Sequence, residues 1–195
     1  MPGFGNSQAG QILRSMLRRW GFHVTDMVLD ARDYGGVQGR TRYYCVASLF
    51  PGFEPPQSQS WENVSIWPIV ERHLSECRDI TNTSAIQNRA NARGVAALIT
   101  PESTHCPTFL KSQDRGVKDA VYIHDGDRYY APSEGLIQEL MSIPSDFDSQ
   151  WIAKEQSIET LGQSIDYALH HRVMGAVKDH LQANLGPGPV LRHFA

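Results

Sequence analysis

Ile12, Leu13, Met16, Leu17 and Trp20 recur at helical spacing near the start of the chain, which predicts a helix with one apolar stripe. Ser7 stands where a cap is expected and Gly21 where the helix ends. Arg14, Arg18 and Arg19 are then assigned to its solvated face and its dipole-favoured last turn. Two apolar segments, Val24 to Leu29 and Tyr43 to Phe50, read as strands. Weaker patterns predict a short helix around Ile66, Ile69, Val70, His73 and Leu74, and strands at 96–99 and 120–123. A helix from Ser133 turns Leu136, Ile137 and Leu140 inward. A last helix is predicted over Thr160 to Gln182, with Ala168, Leu169, Val173, Ala176, Val177 and Leu181 on one face.

Between these elements, Pro51 to Ser60 is dense in Pro and polar residues and reads as a loop between modules. The Gly186-Pro187-Gly188-Pro189 tail reads as a flexible end. No internal repeat is visible. With 195 residues, 41% of them hydrophobic, the chain has the composition of an ordinary soluble domain, or of one domain and a small module. A net charge of −3 provides no global field toward nucleic acid and leaves room only for a local basic patch. Three widely spaced cysteines, Cys45, Cys77 and Cys106, outline no disulfide framework and fit a reducing compartment. No apolar run reaches the length of a membrane span, so a cytoplasmic site is expected, or a nuclear one in a eukaryote. His73 with Cys77, and His105 beside Cys106, do not make two ligand pairs for zinc, so no metal is expected.

The densest chemistry lies in Tyr34-Gly35-Gly36-Val37-Gln38-Gly39-Arg40-Thr41-Arg42, a glycine-broken turn leading into the second strand. In an extended segment Arg40 and Arg42 point to the same side. Two guanidiniums beside a Gln amide form a donor array suited to phosphate or a nucleobase carbonyl. Taken alone, the same residues also describe a solvated strand edge.

The pattern Tyr34-Gly35-x-x-Gln38-x-Arg40-x-Arg42 followed by Tyr43 to Ala47 resembles the Gln-x-Arg-x-Arg block of DNA cytosine-5 methyltransferases. Pro132-Ser133-Glu134 and Leu140 to Phe147 resemble the ninth block of that family, and Leu161-Gly162-Gln163-Ser164-Ile165 its tenth. The order and gaps match over roughly residues 10 to 182. Val37 and Gln163 depart from the family's usual Pro and Asn, and two extra residues lie between Glu134 and Pro144. The family's Phe-x-Gly-x-Gly cofactor loop, Pro-Cys nucleophile loop and Glu-Asn-Val block have no counterpart before Gln38.

The resemblance implies an α/β fold: the C-terminal part of a Rossmann-like methyltransferase domain with an inserted, loop-rich recognition module. Residues 1–50 would end the catalytic sheet, 51–127 would recognise DNA, 128–185 would return to the catalytic domain, and 186–195 would be the tail. It implies methyl transfer from S-adenosylmethionine to C5 of cytosine in double-stranded DNA, in a restriction–modification or phage setting. Arg42 would donate to O2 of the extruded cytosine, and Arg40 and Gln38 would brace the nucleophile loop. Gly162, Gln163 and Ser164, read as opening the last helix, would form part of the cofactor pocket wall, though an ordinary helix start has the same appearance. In the recognition loop, Thr108, Lys111, Ser112, Gln113, Arg115 and Lys118 offer groups for base edges and phosphates, or a solvated polar surface. A catalytic partner carrying the missing blocks is implied, with apolar surface left for it around Val24 to Leu29 and on the last helix. The alternative is a non-catalytic DNA-binding or regulatory remnant.

Overall fold

A computed structural model describes residues 2–59, 64–84, 86–88, 97–113, 120–147 and 151–186. The named elements run α1 (Gln8–Arg19), β1 (His23–Asp30), β2 (Thr41–Ser48), α2 (Trp67–His73), β3 (Arg78–Asp79), β4 (Leu98–Ile99), β5 (Tyr122–His124), β6 (Tyr129–Ala131), α3 (Glu134–Leu140), α4 (Lys154–Gln163) and α5 (Tyr167–Leu185). The 186–195 tail beyond Gly186 lies outside the described residues.

β1 and β2 form an antiparallel pair in which Met27 opposes Tyr44 and Leu29 opposes Arg42. Strand alternation sends Met27, Leu29, Tyr44 and Val46 to one face, where they meet Leu169 and Val173 of α5 together with Ala31 and Tyr34. Asp26, Val28 and Tyr43 point to the other face, toward α1. The result is a helix–sheet–helix layering around a two-stranded sheet.

Ser7 caps α1 by accepting the Gly10 N–H at 3.1 Å. The helix packs through its polar side rather than its stripe. Arg14 pairs with Asp26 at 3.1 Å and donates to the Tyr43 hydroxyl at 3.3 Å, while Tyr43 donates to Asp26 at 2.7 Å. This corrects the placement of Arg14 on the solvated face: the ion pair turns the helix, and Ile12, Leu13, Met16 and Trp20 are left exposed, Trp20 at 62%. Exposure on β1 is narrower than the sequence implied, since Val28 is open but Met27 is buried. On α5, Met174 and Leu185 are exposed while Leu169 and Val173 are buried.

The second sheet has the order β3-β6-β5-β4, with β4 and β5 parallel and the other pairs antiparallel. Its apolar side joins Ile99, Val121 and Ile123 to Val70 of α2, Leu136, Ile137 and Leu140 of α3, and Ile158 and Leu161 of α4. Ser133 caps α3 by accepting the Leu136 N–H at 3.2 Å. The short β3 and β6 carry no clear period and escape the sequence reading.

One expectation changes in kind. A single last helix over Thr160 to Gln182 is replaced by two, α4 and α5, because Ser164 closes the first and Asp166 caps the second, accepting the Leu169 N–H at 3.2 Å. No helix among the described residues is long and apolar enough to cross a membrane.

The end of α4 lies so close to the 110–111 backbone that a Cβ on Gly162 would sit 2.2 Å from the Leu110 carbonyl oxygen. Gly162→Ala is therefore expected to lower unfolding stability by about 1–3 kcal/mol through overpacking. Gly175→Ala, in α5 with open space around it, is expected to raise stability by about 0.5–1 kcal/mol. Denaturant unfolding of the two variants checks the contrast.

Candidate functional site

The turn that delivers the arginines is locked at both ends. Asp30 accepts the Arg32 N–H at 3.1 Å and the Thr41 hydroxyl at 2.8 Å, and the Ala31 N–H donates to the Arg40 carbonyl at 3.1 Å. Gly36 packs against Asp166 of the α5 cap, and a Cβ there would lie 2.8 Å from both carboxylate oxygens. The segment then runs extended into β2. It also forms a parallel bridge with the segment at Cys106, the Gly39 N–H donating to the Cys106 carbonyl and the Cys106 N–H to that of Val37, each at 2.8 Å.

Among the described residues Arg40 is the largest fully buried side chain, at 0% exposure. Its Nε donates to the Ser164 carbonyl at 2.9 Å, its Nη2 to Gly162 at 2.9 Å and also to Ser164, and its Nη1 to Phe109 at 3.1 Å and to Gln38 Oε1 at 3.4 Å. Three backbone carbonyls from two distant segments converge on one planar cation. The helix-end carbonyls that α4 leaves unpaired thus find a charged donor. Burial, then repulsion from Arg42, pulls the guanidinium down to about 10, with Asp166 opposing. It remains charged at neutral pH.

Arg42 is only half-buried. It donates to the Thr41 carbonyl at 2.9 Å and to Ser164 at 3.3 Å, and burial lowers its pKa. Both arginines reach the Ser164 carbonyl, so they share one side, as extended backbone requires. Arg42, unlike Arg40, keeps solvent access.

The tenth-block residues are placed differently from the sequence reading. Gly162 and Gln163 end α4 rather than opening a helix, and Ser164 follows as its C-cap. The N–H groups of a helix start belong instead to the residues after Asp166. The Ser164 hydroxyl donates to the Leu161 carbonyl at 2.8 Å, and the exposed Gln163 amide donates to Glu159 at 3.3 Å. The sequence signal that could have placed the break is Asp166 itself, a strong cap residue inside the run.

In the loop expected to recognise DNA, the Thr108 hydroxyl donates to the Gly39 carbonyl. Gln113 is buried, its amide donating to the Val121 carbonyl at 2.6 Å and accepting the Val121 N–H at 3.0 Å. That corrects its assignment to a base-reading surface, because both ends of the amide are used inside the core. Lys111 is exposed and Ser112 half-buried. Arg115 and Lys118 lie outside the described residues.

Neither His–Cys pair forms a metal centre among the described residues. His73 lies between Glu76 at 3.2 Å and Glu139 at 2.8 Å. Cys106 is fully buried, its thiol donating to the Pro107 carbonyl at 3.0 Å and pushed well above the usual thiol range by burial. A cavity of about 640 Å³ between the 52–59 loop and α5, lined by Glu54, Pro55, His171, Asp179 and His180, includes none of the candidate residues. Its His180 meets Ser48 at the far end of β2 from Arg42.

No protein-family model matches the chain, and no curated protein matches it in sequence. Solved structures do match in fold. Entamoeba histolytica methyltransferase EhMeth superposes with a TM-score of 0.78 at 18% identity, covering 93% of this chain and 61% of that one. S. pombe Dnmt2 methyltransferase gives 0.72 at 18%, covering 94% and 64%. A DNMT2 variant of Spodoptera frugiperda gives 0.60 at 13%, covering 90% and 63%. The chain thus has the α/β fold of these methyltransferases and spans less than two thirds of the length of each.

The two arginines should separate on substitution. Arg40→Lys keeps the charge but loses the fork, and leaving buried carbonyls unpaired is expected to cost about 3 kcal/mol or more. Arg42→Ala is expected to cost about 1 kcal/mol or less. Urea unfolding of both variants reads the difference.

Proposed function

We propose that these residues form the recognition and closing part of a methyltransferase that transfers a methyl group from S-adenosylmethionine to C5 of cytosine in DNA. The observation that carries this reading is the junction at Arg40. Arg40 and Arg42, which with Gln38 resemble one block of the family, meet Gly162 and Ser164, which resemble another, across separations of 122 to 124 residues. Structural likeness to the methyltransferases EhMeth and Dnmt2 over more than nine tenths of the chain supports the methyltransferase part of this reading.

In this reading Arg42 is the working cation. It sits at the start of β2 with its guanidinium half open, where a bound cytosine O2 can accept a charge-assisted hydrogen bond as charge develops on the ring. Arg40 and Gln38 are positioning residues. Their hydrogen bonds hold the strand, the end of α4 and the Phe109 backbone in one frame. Lys111 and Ser112, on the loop tied to this frame through Leu110 and Phe109, would face the duplex.

The residues present can supply one wall for S-adenosylmethionine and no more. The exposed Gln163 amide and the exposed Ile165 and Tyr167 side chains offer polar and apolar contacts at the α4–α5 break. Carbonyls there are occupied by Arg40 and Arg42. When bound, that cofactor supplies the electrophilic methyl group. The nucleophilic thiolate and the main cofactor loop are assigned to a complementary catalytic segment.

The outward stripe of α1 fits such a segment. Ile12, Leu13, Met16 and Trp20 form an apolar face on a helix that packs its own sheet through Arg14. A two-stranded sheet also leaves its outer strand edges open. Both features are what a larger α/β sheet would cover.

In the complex with the catalytic segment, Arg42→Ala is expected to lower methyl transfer to a cytosine-containing duplex by about 100-fold or more with DNA binding retained. Unchanged turnover would overturn the role of Arg42. Trp20→Glu with Met16→Glu is expected to abolish complex formation while changing the stability of the 195-residue chain by only about 0.5 kcal/mol. Pull-down and thermal unfolding, measured side by side, decide that point.

A further inference from the structure

His73 is the last residue of α2, and with Arg72 it makes the last turn of that helix basic, where cations are favoured. Its side chain is 19% exposed and lies between two carboxylates, Nδ1 at 3.2 Å from Glu76 Oε2 and Nε2 at 2.8 Å from Glu139 Oε2. An ionised carboxylate only accepts hydrogen bonds, so both ring nitrogens must donate, and a ring with two N–H groups is an imidazolium. The contacts alone therefore specify a proton. Gly135 of α3 lets the ring lie close: a Cβ there would sit 3.3 Å from His73 Cε1 and Nδ1 and 3.4 Å from Glu76 Oε2.

We infer that His73 is a proton-operated clamp between α2 and α3, closed when both ring nitrogens carry a proton and opened on the Glu76 side when one is lost. The step is transfer of one ring proton to solvent, with no other bond made or broken. Nδ1 makes the longer contact and is the nitrogen expected to give up its proton. A bare nitrogen facing a carboxylate oxygen has nothing to donate, and the two repel. Glu76 then keeps the Ser133 hydroxyl at 3.4 Å, and Glu139 keeps Arg72. Val70 of α2 shares one buried cluster with Leu136, Ile137 and Leu140 of α3. The helices thus stay packed, and the proton changes how firmly their solvent side is held. Under the proposed function the clamp joins the stretch expected to recognise DNA to the stretch expected to return to the catalytic domain, but its chemistry stands without that reading.

The charged groups at the ring are Arg72 on α2, Glu76 on the turn that follows, and Glu139 on α3. Cys77, just beyond the turn, feels Glu76 and Lys154 of α4, and burial pushes its thiol up. Glu71 of α2 takes the Trp67 indole N–H instead, and Glu134 of α3 the Ser157 hydroxyl. Burial pulls His73 down, but hydrogen bonds to Glu139 and Glu76 outweigh it and hold the ring above its ordinary 6.5. Burial pushes Glu139 up, but His73 and Arg72 hold it below its ordinary 4.5. Because the folded value of His73 is raised, its stabilisation is fully present below the unfolded pKa and is lost as pH rises through the folded one. The loss therefore begins near pH 6.5 and extends upward. For Glu139 the sign is reversed: its contribution is present above 4.5 and is lost as pH falls through the lowered value.

The test uses the 195-residue chain and does not depend on methyl transfer, so its failure is separable from failure of the proposed function. Nitrogen-15 NMR of the imidazoles, with His73 assigned by His73→Gln, is expected to show both ring nitrogens protonated up to a midpoint above 6.5. Glu139→Gln is expected to lower that midpoint, and Glu76→Gln to lower it less. In thermal unfolding from about pH 6 to about pH 8.5, the Tm advantage of the wild-type chain over Glu139→Gln is expected to shrink by about 1–3 °C. A His73 midpoint at or below 6.5 overturns the inference, as does a midpoint indifferent to Glu139→Gln or a Tm difference that does not change with pH. If Glu139→Gln does not fold, the titration of the wild-type ring decides alone.

Discussion

A guanidinium buried without a carboxylate beside it is stable only if its donors meet acceptors in the right plane, and Arg40 meets that condition through backbone carbonyls. Ser164, Gly162 and Phe109 supply them, and Gln38 Oε1 adds a further acceptor. Lysine has no planar fork and could not span three such positions. The strand leading into β2, the segment at Phe109 and the end of α4 are therefore fixed relative to one another by one side chain. Gly162 allows the close approach of α4 to the 110–111 backbone, and the Cys106 bridge aligns the strand. Arg42 then emerges at a defined place with its guanidinium partly open.

The larger core, around Ile123, Phe109 and Leu140, packs against α2, α3 and α4. The two-stranded sheet is covered on one face by α5 and on the other by the polar side of α1. The apolar stripe of α1 stays exposed while Arg14 on its other side pairs with Asp26. That asymmetry agrees with a chain that spans only part of the length of the methyltransferases whose fold it shares.

Local signals in the sequence predicted local structure well. Ser7 caps the helix it was expected to cap, a helix begins next to Ser133 as expected, and the apolar runs at 24–29 and 43–50 lie within or across β1 and β2. What the sequence could not show was long-range compensation. Arg14 has the pattern of a solvated residue until Asp26 and Tyr43 are brought beneath it by the strand pairing. Gln113 resembles a surface amide until Val121 presents its peptide to it. The break at Ser164 to Asp166 was legible in principle, but continuous apolar spacing on either side concealed it. The two-residue β3 is too short to carry a period at all.

The most direct test is a crystal structure of the chain with its catalytic segment and a duplex containing the target cytosine. The Arg42 guanidinium should lie within hydrogen-bond distance of O2 of an extruded cytosine, with Arg40 still on the carbonyls of Ser164, Gly162 and Phe109. An extruded base held without Arg42, or an Arg40 that has left those carbonyls to reach the DNA, would contradict the division of labour between the two arginines.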